Sequence, residues 1–405
     1  VNKNEGRAQK FPHGAFARGV FPIFATHSFF GMLNRRTLRI KIMQSLFAFD
    51  QCKEANYQLA LAAIDTRFQP DLNSMEVQDK ELLKKQRKAG RAHFEKKFAT
   101  PLTEATEDET VNAMVDQALA TYAQQVAKDQ QFLLRNLISE IQKLTGLYHT
   151  VLRLLVSLGE VAAADKRGSH TNFIKNNVLA SIAQDEKLHK EWIKSAETQV
   201  EPERVRTWFR EVLKEDADYQ KFIDSKSPNT EQQQTILRHI VRRVILGKTI
   251  INDYFEEKDL RWAEDRDIIK SLVEKTIKSF ADGKITEQKV SIDWDDDLRF
   301  IEKLFTETAR LPEEYKQLIA QNTKNWEVDR LPLTDRVILE MALAEMLFFQ
   351  NIPVKVTINE YIELTKEYST PKSKQFINGI LDVMAKKLLE QGKIKKSGRG
   401  LIDNK

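Results

Sequence analysis

Apolar positions recur every three or four residues through most of the chain, and no convincing stretch alternates with a period of two. This predicts an all-α protein built as helix bundles. The first clear stripe is Leu38, Ile42, Leu46 and Phe49, in a segment that opens at Asn34, a good N-cap residue. Arg35, Arg36, Arg39 and Lys41 lie mostly off that stripe, so the spacing predicts a helix packed by one face with its cations outward. Positive charge in a first turn opposes the helix dipole, a local cost that points to a ligand wanting it there.

Residues 51–230 read as a long helical tract in which glycine occurs only at Gly90, Gly146, Gly159 and Gly168. Heptad-like spacing runs from Phe132 to Ala164, with Gly159 as a stop or kink. Further helices are expected from Asn172 to Trp192 and, after Pro202, from Glu203 to Phe222. The run Lys80 to Lys97 holds eight Lys/Arg against Glu81 and Glu95. It reads either as a second nucleic-acid patch or, as such runs more often are, as the wet face of a helix or a linker.

From Thr230 the pattern breaks into shorter helices, at about 231–247, 250–257, 261–280, 297–308, 311–322, 334–350, 356–369 and 371–391. Thr357, Ile358, Asn359 and Glu360 match a capping box, with Thr357 as the cap and Glu360 as its partner. Thr370 precedes Pro371 as a second cap, and Gly392 closes a lysine-rich helix end. Asn378 and Gly379 fall in mid-helix, where both are poor helix formers. A close helix crossing would explain Gly379, and Asn378 could tie nearby backbone groups.

Composition agrees with helices: 14 Gly and 10 Pro in 405 residues are few for a sheet protein. The single Cys52 excludes an internal disulfide and a cysteine-cluster metal site, and suits a reducing, cytoplasmic setting. The formal net charge is only +5, but residues 1–41 hold eight Lys/Arg against Glu5. Residues 391–405 hold five against Asp403, so the body between is acidic. Basic ends on an acidic body point to a polyanionic partner. The apolar stretch Gly19 to Leu33 is too short to span a bilayer, and residues 1–31 read as a poorly ordered leader, with Met32 as an alternative start. No other segment reaches 18 uncharged apolar residues, so no membrane span is expected.

Catalytic motifs are missing. No two histidines are four apart, and no H-E-x-x-H, P-loop or G-x-S-x-G occurs. The sole G-x-G, Gly398 to Gly400, lies in a basic tail with no strand before it. Asp293, Asp295, Asp296 and Asp297 lack the spacing of a calcium loop and read as an acidic helix start. The expectation is no enzyme, no cofactor and no metal.

Between Asn325 and Asp382 a series of marks stands in order: Trp326, Asp335-Arg336, Glu345, Pro353-Val354, Ile358-Asn359-Glu360, Lys366 and the run Phe376 to Asp382. This segment closely resembles the NusB family of transcription antitermination factors, and Arg35 to Phe49 resembles that family's arginine-rich first helix. The resemblance implies an all-helical fold of two small bundles without catalytic activity. It implies ribosomal protein NusE and single-stranded boxA-like RNA as partners, in the RNA polymerase elongation complex transcribing ribosomal RNA. Arg35, Arg36, Arg39 and Lys41 are then the leading RNA contacts, since guanidinium forks suit phosphate and stack on unpaired bases. Lys355, Lys366, Lys372 and Lys374 are secondary RNA candidates, whereas Asn34, Thr357, Asn359, Glu360, Asn378 and Gly379 are given structural roles. Asp335 and Glu345 are either interface acids or interhelical salt bridges.

The implied layout is a leader at 1–31, a basic first helix at 32–50, a helical insertion at 51–230, middle helices at 231–322, a C-terminal bundle at 323–391 and a basic tail at 392–405. The insertion departs from the family's usual, much shorter chain. It motivates a competing reading, a helical protein-interaction scaffold without RNA binding. A third reading, a domain of an RNA methyltransferase, conflicts with the missing Gly-rich cofactor motif and catalytic cysteine motif.

Overall fold

The arginine-rich helix runs far past its first apolar stripe: α1 spans Arg35–Arg67 in a computed structural model that describes residues 33–73, 75, 77–194, 199–323 and 331–404. The expected leader, Met32 and Trp326 lie outside the described residues. α1 continues because the segment after Phe49 is rich in Ala, Leu and Gln, with neither Gly nor Pro before Pro70. Its second stripe, Tyr57, Leu61, Ile64 and Phe68, faces α2 (Lys80–Ala99) and the first part of α3 (Glu109–Ala164). Asp79 caps α2 by accepting from Leu82 N at 3.0 Å, and Asp108 caps α3 by accepting from Val111 N at 3.1 Å. Together the three form an arm with its own small core, which includes Phe94, Val111 and Val115. Tyr57, Phe94, Phe98 and Tyr122 stack through it at centroid distances of 4.9 to 5.9 Å.

The 56-residue α3 then enters the main core through Leu137, Ile141, Leu144, Tyr148 and Leu155. A boundary between 50 and 51 therefore cuts a continuous helix, and the tract 51–230 is not a detached unit. Gly159 does not stop α3. A Cβ there would lie 2.9 Å from Leu179 Cδ2, so the glycine permits close packing on α5 (Asn177–Ala183). An 18-residue window of α3 has mean hydropathy 1.3, enough by length and composition to cross a membrane, but 61% of that window is buried against the protein's own helices.

The helix expected from 172 to 192 is three pieces: α4 (Thr171–Ile174), α5 and α6 (Glu186–Lys194). Asn176 restarts the chain by accepting from Val178 N and Leu179 N, both at 3.0 Å, and Asp185 does the same for Lys187 N and Leu188 N. Next come α7 (Pro202–Trp208), a π-helical turn at Phe209–Leu213, and α8 (Ala217–Ile223), capped by Asp216. α9 (Thr230–His239) opens with an Asn229/Gln232 capping box and passes into a second π-helical stretch, Ile240–Ile245.

The remaining helices are α10 (Thr249–Lys258), α11 (Trp262–Lys278), α12 (Trp294–Ala309), α13 (Glu313–Thr323), α14 (Leu333–Phe348), α15 (Val354–Tyr368) and α16 (Ser373–Glu390), before a 3-10 turn at Gly398–Asn404. They match the expected spans closely. Among the described residues the sole β pairing is the isolated bridge Ala281–Lys284, so the fold is all-α. α14 is buried on nearly all sides, from Val337 to Met346, with α15, α16 and α12 packed around it.

Three local expectations are corrected. Pro353, not Thr357, precedes the first turn of α15, and Thr357 lies buried one turn inside the helix. Gly379 is exposed and a Cβ there would meet nothing within 4 Å, so no helix crosses at that point. The Asn378 amide donates to Asp382 Oδ2 at 3.3 Å instead of tying backbone groups, and Asn359 is exposed on the middle of α15. By contrast, Thr370 Oγ1 accepts from Ser373 N at 3.3 Å, and Gly392 takes φ +66 as a left-handed helix end.

Candidate nucleic-acid interface

The front of α1 forms one wall of a groove of about 1710 Å³, shared with α11, α12, the α14–α15 turn and the C-terminal tail. Asn34 holds that front in place, its Oδ1 accepting from Thr37 N at 2.8 Å. α1 is gripped on more than one side, by α3 and by α12, α14 and α15. Residues one step off the apolar stripe are therefore covered as well.

Arg39 is only 3% exposed. Its Nε and Nη2 donate to Glu345 Oε2 and Oε1 at 2.7 and 2.8 Å, while Thr357 Oγ1 and Tyr361 Oη donate to the same carboxylate at 2.9 and 3.2 Å. Burial opposes the Arg39 charge, but the Glu345 carboxylate and its hydrogen bonds outweigh it and raise the guanidinium pKa. Burial, and then the Glu345 charge, push the Tyr361 phenol well above its ordinary value. Lys41 is 1% exposed and lies 2.7 Å from Asp265 Oδ1, and burial raises the Asp265 carboxyl with Lys41 pulling the other way. Arg39 and Lys41 thus border the groove with their charges buried and neutralised inside the core, not turned outward as the helix periodicity predicts.

Arg35 and Arg36 reach the groove. Arg35 pairs with Asp296, lies 3.5 Å from Asp297 Oδ1 and covers the Phe300 ring at 4.2 Å. Arg36 binds Glu360 through both carboxylate oxygens, at 3.0 and 2.9 Å, which raises its pKa. Glu360 is therefore an ion-pair partner of α1 and not a cap residue. Asp293 does cap α12, accepting from Asp296 N at 3.0 Å, so the acidic helix start is confirmed and its next acids neutralise Arg35. Asp335 turns out to be a buried tie between helices, with Ser369 and Ser373 hydroxyls donating to it. Glu345 is the interhelical salt bridge.

Lys355, Lys366, Lys372 and Lys374 are exposed on α15 and at the start of α16, but none lines the groove, and Lys366 pairs with Glu363. The groove instead gathers Arg299, Lys303 and Arg399, which the sequence reading did not assign to RNA. Arg299 and Lys303 stand four apart on α12, exposed, beside the buried Phe300 and Leu304. That i,i+4 pair of cations on an amphipathic helix was the available signal. Lys303 covers the half-buried Phe349 ring at 5.0 Å, and Phe349 meets Phe300 edge-on at 5.3 Å. The tail is fastened here: Lys396 Nζ donates to Phe349 O at 2.8 Å and Ser397 N to Gln350 O at 3.0 Å. Gly400 sits so close that a Cβ would fall 2.0 Å from Gln350 O. The basic run of α2 is solvated, with Lys80, Lys84, Lys85, Arg87 and Lys88 exposed on the arm.

Fold and groove together define an all-helical protein in which exposed cations and the half-buried Phe349 ring share one cleft. Residues 266–386 match the NusB family. The chain is similar to the transcription antitermination protein NusB of Salinibacter ruber, 44% identical over 115 residues that cover 28% of this chain and 72% of that protein. It is also similar to the NusB proteins of Chloroherpeton thalassium, 41% over 104 residues, and Natranaerobius thermophilus, 41% over 90 residues. These matches cover 26% and 22% of this chain and 49% and 65% of those proteins, less than two thirds of either. No solved structure matches the chain. The chain belongs to the NusB family, whose members are not enzymes. The helices before residue 266 lie outside the matched segment.

Proposed function

We propose that this protein is an RNA-binding transcription antitermination factor that acts with NusE on boxA-like RNA during transcription of ribosomal RNA. The observation that carries this reading is the coincidence of the family segment with one wall of an open groove holding Arg299, Lys303 and Phe349, opposite the basic front of α1. Cations that position phosphate beside half-exposed rings that can stack on bases are what a single-stranded RNA requires. The tract 51–230 is then a helical insertion in the family fold, and its first part forms the arm.

The groove test is an anisotropy titration of boxA-like RNA, with and without NusE, over a series of salt concentrations. Affinity should fall as salt rises, and NusE should tighten it. In the variant R299A/K303A the slope of log affinity against log salt should shrink by about 0.7 per lost phosphate contact. Equal slopes for the variant and the parent would overturn the groove assignment.

One observation favours the competing scaffold reading: Arg35, Arg36 and Arg39 are each already paired with a carboxylate. A NusE complex that forms at full strength without RNA, and gains no RNA affinity, would support it.

A further inference from the structure

A second groove, of about 620 Å³, is lined by Thr235, Arg238, His239, Arg242, Arg243 and Lys270. Apart from Thr235, every lining side chain is a cation or can become one. The groove lies along α9 and the π-helical stretch that follows it, in which Leu246 N bonds to Val241 O, five residues back, at 2.9 Å. Such wide turns are uncommon and concentrate at functional sites. Thr235, Arg238, His239, Arg242 and Arg243 stand at i, i+3, i+4, i+7 and i+8, the spacing of one helix face, so all three guanidinium groups share one wall.

The positive charge here is only partly cancelled. Arg242 pairs with Glu274, Lys270 with Asp267, and His239 Nε2 lies 2.9 Å from Asp216 Oδ1. Arg238 donates to Thr235 Oγ1 at 3.1 Å, yet its Nε is buried with no acceptor. Arg243 is exposed and has no ion pair among the described residues. A buried donor without an acceptor is unfavourable, and guanidinium groups gathered on one wall suit an oxyanion. Asp216, Asp218 and His239 also have metal-ligand spacing, within 4.8 Å of one another. The surrounding Lys/Arg groups disfavour a divalent cation there and favour an anion.

The two grooves adjoin. α11 supplies Asp267 and Ile268 to the first and Lys270 to the second, within one turn of a single helix. We propose that the second groove binds backbone phosphates of the RNA strand held in the first, so that the protein grips RNA beyond the recognised element. This inference rests on the RNA reading above and adds a second site to it.

The test uses the full chain and two labelled RNAs, a short boxA-like oligonucleotide and the same sequence extended at both ends. The variant R238A/R243A should bind the short RNA as the parent does. On the extended RNA it should lose about tenfold in affinity, and its salt slope should fall by about 1.4, two single-strand phosphate contacts. R238K/R243K, which keeps the charge, should retain most of the slope and guards against a folding defect. Thermal shift with inorganic pyrophosphate separates a small phosphate ligand from RNA. Stabilisation by pyrophosphate with no change on extended RNA overturns the proposal, as do equal slopes for parent and variant. Loss of all RNA binding in the parent would instead defeat the RNA reading itself, and with it this site.

Discussion

Arg39 and Glu345, 306 positions apart in the chain, are joined by two hydrogen bonds at 2.7 and 2.8 Å, with neither side chain more than 3% exposed. The pair welds the first helix to the centre of the family segment. Thr357 and Tyr361 fill the remaining acceptor positions of Glu345, so the buried carboxylate is satisfied. An arginine here is part of the core, not of a binding surface.

Removing one partner should therefore be costly. Glu345→Ala leaves the Arg39 guanidinium buried and unpaired, and should lower stability by about 3–5 kcal/mol in urea denaturation. The double variant R39M/E345L, which removes both charges, should recover most of that loss. A single variant as stable as the parent would show that the pair contributes little.

Arg36 behaves differently, because its side chain is 42% exposed. Glu360→Gln should release its guanidinium toward the groove and tighten RNA binding several-fold, with a steeper salt dependence. Arg36→Ala should weaken RNA binding and change stability by less than about 1 kcal/mol, as for an exposed pair. RNA affinity indifferent to both substitutions would favour the scaffold reading.

Two helical glycines give opposite expectations. Gly379→Ala fills open space in an exposed helix and should stabilise by about 0.5–1 kcal/mol. Gly159→Ala drives a methyl group to 2.9 Å from Leu179 and should destabilise by about 1–3 kcal/mol. Thermal melts of the two variants shifting in the same direction would contradict the packing described for α3 and α5.

The arm should respond to acid. His93 is buried in it with an unpartnered Nε2, and burial, aided by Lys97, lowers its pKa below the ordinary imidazole value of about 6.5. The folded arm therefore binds fewer protons than the unfolded one, and stability present above pH 6.5 or so is lost as pH falls through the depressed value. Hydrogen exchange in α2 should accelerate from pH 7.5 to 5.5, after correction for the intrinsic rate, more than exchange in α14. His93→Gln should remove that difference, and no change with pH in the parent would refute the assignment.

The helices after residue 230 were legible because their apolar stripes, breakers and helix-end signals agree with one another. The Asn34 cap and the Gly392 helix end are local chemistry and were read directly. The fate of the cations was not legible. Periodicity places Arg39 and Lys41 beside the stripe, but only the tertiary packing of α1 between two sets of helices decides that they are covered. Their partners Glu345 and Asp265 are 306 and 224 positions away, beyond any local pattern. Thr357 was misread for a similar reason: its capping-box spacing is real, but Pro353 starts the helix a turn earlier. Arg299 and Lys303 carried a usable spacing, masked by the run of aspartates before them.

α1 has a consequence for geometry. From Arg35 to Arg67 it is a single rod about 48 Å long, anchored in the main core at one end and in the arm at the other. The tip of the arm is thereby kept at a set separation from the cleft. The residue count of the helix alone fixes the span between the two cores it joins.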